Sequence, residues 1–239
     1  MTISRRHFIA RSTAFGLGFT ALQSAFAQRV FASRSPKLAG GPFGPLVADP
    51  KGVLDLPEGF TYKIISRAGE TMADGLRSPA RPDAMATFPG DDGLTIIVRN
   101  HEVSGGVQNE GPFGDHGYLM SSETASRLYD PRTGDGAGGG GAMPGGTTTL
   151  IYDTKKQELV RQFLSLGGTE RNCAGGPTPR VTWITCEETV SRADQLHAKD
   201  HGYCFEVPVT SEPFLNRAVP IKPMGRFNHE ANCTDPATG

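Results

Sequence analysis

Along residues 57–239 the apolar positions fall in short runs of β-branched and aromatic residues, cut by clusters of Gly, Pro, Asn and Asp. The runs Thr61–Ser66, Leu94–Asn100, Thr147–Asp153, Leu159–Leu166, Val181–Glu188 and Tyr203–Val207 have the length and composition of strands. Only Glu123–Leu128 and Val190–His197 carry even a brief helical spacing. The pattern predicts an all-β chain. Asp-Pro-x-Thr-Gly turns recur at Asp130–Gly134 and Asp235–Gly239, which suggests the blades of a β-propeller, with a β-sandwich as the alternative of equal standing on spacing alone. These strands fill about half of one propeller and the sequence stops at a turn, so it reads as the N-terminal part of a longer chain, with an incomplete propeller.

The first 27 residues break the pattern. Ser4-Arg5-Arg6-His7-Phe8-Ile9 is a twin-arginine signature; a moderately apolar stretch follows and ends in Ala25-Phe26-Ala27. That order marks residues 1–27 as a removable export signal, and Arg11 within the apolar stretch argues against a membrane-spanning helix. The expected partner during export is the twin-arginine translocase, and the expected location is periplasmic or secreted. Residues 28–56, rich in Gly, Pro and Ser, read as an extended tether, and residues 57–239 as the folded domain.

Losing the leader removes three arginines and no acid, taking the formal charge from −1 to −4. A mildly acidic chain without a basic run gives no electrostatic ground for nucleic-acid binding. No later segment is long and apolar enough to span a membrane. With 31 glycines and 18 prolines the composition favours strands and turns. Four cysteines are too few to staple a fold of this size.

Several motifs fall away. Gly134–Gly146 contains a G-x-G-x-x-G at Gly134, Gly136 and Gly139, but no helix follows it, so it reads as a flexible loop. There is no His-Glu-x-x-His and no Gly-x-Ser-x-Gly, which leaves zinc-protease and serine-hydrolase readings unsupported. What remains is a set of acidic strand ends: Asn100-His101-Glu102, Glu187-Glu188 and Asn228-His229-Glu230, with Cys173 in the Gly- and Pro-rich stretch Asn172–Pro177. Carboxylates and amides are hard ligands that suit calcium; a thiolate selects a transition metal. On a regular strand Glu187 and Glu188 face opposite ways, and Glu188 is the one expected to point into a site. Two bland readings stand beside this: a solvated acidic edge, and a Cys173–Cys186 disulfide.

Taken in order, Arg99-Asn100-His101-Glu102, Gly145-Gly146-Thr147-Thr148, Arg171-Asn172-Cys173-Ala174-Gly175-Gly176-Pro177-Thr178-Pro179, Thr185-Cys186-Glu187-Glu188, His201-Gly202-Tyr203 and Gly225-Arg226-Phe227-x-His229-Glu230-Ala231, with the twin-arginine leader, resemble the PhoX family of alkaline phosphatases. The resemblance implies a secreted, monomeric β-propeller enzyme that hydrolyses phosphomonoesters with calcium (Ca2+) and ferric iron (Fe3+) near the propeller axis. It implies Cys173 as an iron ligand, Glu188 and Glu230 as metal-binding carboxylates, and Glu187 and Glu102 as further candidates. Asn100, His101, Asn172 and His229 become candidate supporting groups. It also implies that the attacking oxygen is bound by a metal, so no side-chain nucleophile is called for, and that Cys186 packs inward. One departure is visible: where family members usually have Pro-Trp-Gly, this chain has Pro179-Arg180-Val181. Two other readings stay open, a metal-stabilised propeller that only binds, and a calcium-dependent propeller hydrolase of another kind.

Overall fold

A computed structural model describes residues 42–107, 109–131 and 141–238. The leader, residues 28–41 of the tether and most of the Gly134–Gly146 loop lie outside the described residues. The chain divides into two units, one up to Lys63 and one from Ile64.

In the first unit, β1 (Leu46–Val47) pairs antiparallel with β2 (Leu56–Pro57). Asp49 organises the connection: its carboxylate accepts from the amides of Lys51, Val53 and Leu54 and from the Tyr62 hydroxyl at 2.6 Å, an Asx-type turn. These hydrogen bonds, that of Tyr62 first, hold the Asp49 carboxyl well below its ordinary range.

The second unit is mostly β. Strands β3 (Pro82–Pro89), β4 (Leu94–His101), β5 (Gly145–Asp153) and β6 (Glu158–Thr169) form a four-stranded antiparallel meander in chain order. Strands β7 (Asn172–Thr178), β8 (Thr182–Glu187) and β9 (Cys204–Pro208) form a three-stranded one. Trp183, Phe205 and Val207 of the second sheet share a core with Phe88, Ile96, Val98, Ile151 and Phe163 of the first. Helix α1 (Ser122–Arg127) is capped by Ser121, whose hydroxyl accepts from the Thr124 amide. No helix among the described residues is long and apolar enough to cross a membrane.

The all-β expectation holds at this level, with several antiparallel sheets and little helix. Three local expectations do not. Thr61–Ser66 joins no ladder, for its β-branched pattern finds no partner edge and Ile64 stays exposed. Val190–His197 is not helical: the Asp194 carboxylate accepts from the amides of Leu196 and His197, and Asp200 takes the Ala193 amide, so side chains hold the donors a helix would use. Asn172–Pro177, whose glycines and prolines read as a loop, lies instead within strand β7. Strand β3 was not anticipated either. Both are edge strands carrying prolines, which weaken the strand signal yet are tolerated at an edge.

Both edge strands also carry a β-bulge. On β3, Asp83 and Ala84 together face Asn100; on β7, Cys173 and Ala174 together face Cys186. A bulge inserts one unpaired residue and re-aims the side chains around it.

Candidate metal centre

The two bulges open toward one another, and the buried side chain of Asn100 lies between them. Its Nδ2 donates to the Ala174 carbonyl at 2.7 Å; its Oδ1 accepts from Trp183 Nε1 at 2.9 Å and Thr185 Oγ1 at 3.0 Å. One amide thus ties the end of β4 to the β7 bulge and to β8. Backbone bonds bring in the other segments. The Glu102 amide donates to Arg81, the Arg171 amide to Val103, the Glu188 amide to Arg171, and the Ala174 amide to Glu230. The late segment around Glu230 is thereby laid along β7 beside Cys173.

The result is a cluster. Cys173 Sγ donates to Asp83 Oδ2 and lies equally close to Glu230 Oε1, both at 3.2 Å. Ligand atoms of Asp83, Glu102 and Cys173 lie within 4.8 Å of one another, as do those of Cys173, Glu188 and Glu230. Cys173 belongs to both sets. The Arg171 guanidinium spans them, 3.0 Å from Glu102 Oε1 and 2.9 Å from Glu188 Oε2. Burial, and then the Glu230 and Asp83 carboxylates, push the Cys173 thiol up, so it holds its proton while no cation offsets the acids around it.

Four of the five candidate ligands named from sequence, Cys173, Glu188, Glu230 and Glu102, therefore meet. Glu187 does not join them. It is fully buried and faces the other way, accepting from the amides of Glu170, Gly202 and Tyr203 and bonding His201 Nδ1 at 2.6 Å. Those four donors fix the end of β8 and so aim the next residue, Glu188. Of the supporting groups, Asn100 holds the Cys173 bulge. Asn172 is buried between Thr169 and Thr185. His101 is buried between the Ala80 carbonyl and Thr148 Oγ1, where burial and the neighbouring Arg99 push it down to about 3, so it is neutral. His229 stacks on Phe227 and gives its backbone amide to Glu187.

Sequence reasoning missed Asp83 and Arg171. Asp83 sits between prolines in a stretch without alternation, and only its pairing with β4 reveals it. Arg171 opened a quoted motif but was given no role there, because its ion pairs depend on Glu102 and Glu188, which lie elsewhere in the sequence. All four cysteines are free thiols, so Cys173 and Cys186 are not bonded. The Pro179-Arg180-Val181 departure lies at the turn end of the β7–β8 hairpin, opposite the end that carries Cys173 and Glu188.

A thiol among four carboxylates at the ends of antiparallel strands defines a candidate metal-binding β protein. Compared with known protein families, residues 41–239 match the family described as Alkaline phosphatase PhoX, and the chain belongs to it. Searches of curated proteins and of solved structures each found no match.

Proposed function

We propose that the protein is a metal-dependent phosphatase that hydrolyses phosphomonoesters using calcium and iron. Its family is described as an alkaline phosphatase, and the observation that carries the reading is the convergence of Cys173 with Asp83, Glu102, Glu188 and Glu230. The donor set fits the cations: the thiolate suits iron and the carboxylates suit calcium, and the crowding that raises the thiol is relieved when positive charge enters. Bound there, such cations would neutralise phosphate oxygens and stabilise the charge that develops during phosphoryl transfer.

The chain's own residues prepare the place. The Asn100 amide and the two bulges hold Asp83 and Cys173 out of their ladders, and buried Glu187 and His201 fix the strand end that presents Glu188. Arg171 bridges Glu102 and Glu188 by pairing with both; once cations engage those carboxylates, its planar donors are free for a phosphate oxygen. In this reading the two meanders are blades of a propeller. Residues 1–27 are a twin-arginine leader, and the protein works as a monomer in the periplasm or outside the cell.

The test is hydrolysis of an aryl phosphomonoester by protein exported from its natural reading frame, with added calcium and with a chelator. Expected is calcium-dependent turnover that the chelator abolishes. In Cys173→Ser, bound iron by elemental analysis should fall with turnover, by about 100-fold or more, since loss even of groups that only support a ligand costs 10- to 100-fold. No turnover from full-length, metal-loaded protein would favour a binding module instead. Full turnover of Cys173→Ser with calcium alone would favour another calcium-dependent hydrolase.

A further inference from the structure

Of the three cysteines outside the candidate centre, Cys233 is exposed and the other two are buried beside Cys173's hairpin. Cys186 on β8 and Cys204 on β9 are paired directly across the ladder, both fully buried, with their sulfurs 3.5 Å apart and unbonded. The next pair along, Glu187 and Tyr203, exchanges a backbone hydrogen bond, so Cys186 and Cys204 occupy the narrow, non-hydrogen-bonded site of an antiparallel ladder, where Cα atoms stand about 4.5 Å apart. That spacing lies within the range a disulfide accepts, about 4.4–6.8 Å. On the other side, Cys186 faces the bulge that carries Cys173, so a third thiol competes for the same partner.

We propose that Cys186 and Cys204 form a cross-strand disulfide in the exported protein, and that this bond withdraws Cys186 from reaction with Cys173. The oxidant is a disulfide, either a protein disulfide of the oxidising compartment or oxidised glutathione. One cysteine thiolate attacks it and releases one thiol, forming a mixed disulfide; the second thiolate then displaces the other thiol. Both cysteine thiols are thereby oxidised to one S–S bond, the oxidant is reduced to two thiols, and the two cysteine protons leave with them. Because both sulfurs are shut from solvent, the exchange takes place while β9 docks or during its opening. Closure asks for about 1.5 Å of sulfur movement, within reach of side-chain rotation. Cys173, left free, keeps its proton or takes a cation.

The test needs no enzymatic activity and reads the same whether or not the phosphatase proposal stands. The protein, exported or refolded in a buffer of oxidised and reduced glutathione, is unfolded in denaturant and alkylated without reductant, then digested for mass mapping. Expected are alkylated Cys173 and Cys233, and a crosslinked pair of peptides carrying Cys186 and Cys204, lighter by two hydrogens than the separate thiol forms. Alkylation of Cys186 and Cys204 without reductant overturns the proposal, as does a Cys173–Cys186 link in the native chain. A second variant guards against a misassigned partner. In Cys204→Ala, Cys186 should alkylate without reductant or turn up linked to Cys173 or to glutathione; if it is found linked to Cys233, the pairing is wrong. Reduction of the wild-type bond should also shift its Tm downward and leave that of a Cys186→Ala/Cys204→Ala double variant unmoved; equal shifts in both would overturn the assignment.

Discussion

Single side chains decide how much positive charge the cluster demands. The Cys173 thiol is raised by burial and by its two carboxylate neighbours, so replacing one of them has a definite sign. Asp83→Asn should lower the thiol's pKa and speed its alkylation by iodoacetamide at a fixed neutral pH, while weakening calcium binding by about 10-fold or more. Unchanged alkylation would mean that Asp83 is not the thiol's neighbour in solution. Arg171 works in the opposite sense. It is about two-fifths exposed (38 %) and pairs with partly exposed acids, so Arg171→Gln should cost at most about 1 kcal/mol of stability. It should, however, tighten calcium binding by titration calorimetry, because the cation no longer competes with a guanidinium. Weaker binding in that variant would show that Arg171 supports the site rather than occupying it. The ligand types were legible in sequence because Glu and its Asn and His neighbours stood at strand ends and Cys173 in a Gly- and Pro-rich stretch; strand alternation parted Glu187 from Glu188 without choosing between them. Asp83 was not, since nothing local distinguishes it from any turn aspartate.

At the scale of elements, the β7–β8 hairpin carries both a site end and a strained turn. Val181 sits in the left-handed region at φ 59°, which costs a β-branched residue about 1–2 kcal/mol and costs glycine nothing. Val181→Gly should therefore stabilise the protein by about 1 kcal/mol in urea unfolding, with cation binding unchanged because the turn lies at the far end from Cys173; an altered affinity would show the two ends to be coupled. Gly175 is the reverse case. A Cβ there would overlap the Ile184 carbonyl oxygen and the Trp183 ring, so Gly175→Ala should part β7 from β8, read as a red shift and quenching of the single tryptophan, Trp183. The edge strands β3 and β7 were hard to read in advance for one reason: Gly and Pro normally mark loops, and here they serve a crowded edge. The helical reading of Val190–His197 failed because periodicity takes no account of Asp194 and Asp200 seizing the amides.

Across the whole molecule, one buried ionic group links the sheets' stability to pH. Burial alone would lower His201, but hydrogen bonds to Asp130 and Glu187 outweigh it and raise its pKa from 6.5 to about 9. A group raised on folding stabilises fully below its unfolded pKa, and that contribution disappears as pH climbs through the folded value. Urea midpoints should thus decline between pH 6.5 and about 9, and the decline should flatten in His201→Gln; a wild-type midpoint that stays level over that range would place the charge elsewhere. The mostly β character of the chain was plain from the sequence, whereas the way two meanders share a core depends on pairings between distant segments that no single stretch displays. The two bulges have a last consequence, for inheritance rather than for chemistry. Each adds one residue to an edge strand without disturbing the partner strand, so the in-and-out phase of side chains inverts at Asp83 and again at Cys173. Deleting one neighbouring residue, Ala84 or Ala174, would restore an unbroken ladder and turn the ligand away in a single step, whereas point substitutions would have to rebuild the same geometry atom by atom. The lineage can therefore lose this site far more easily than it can alter it.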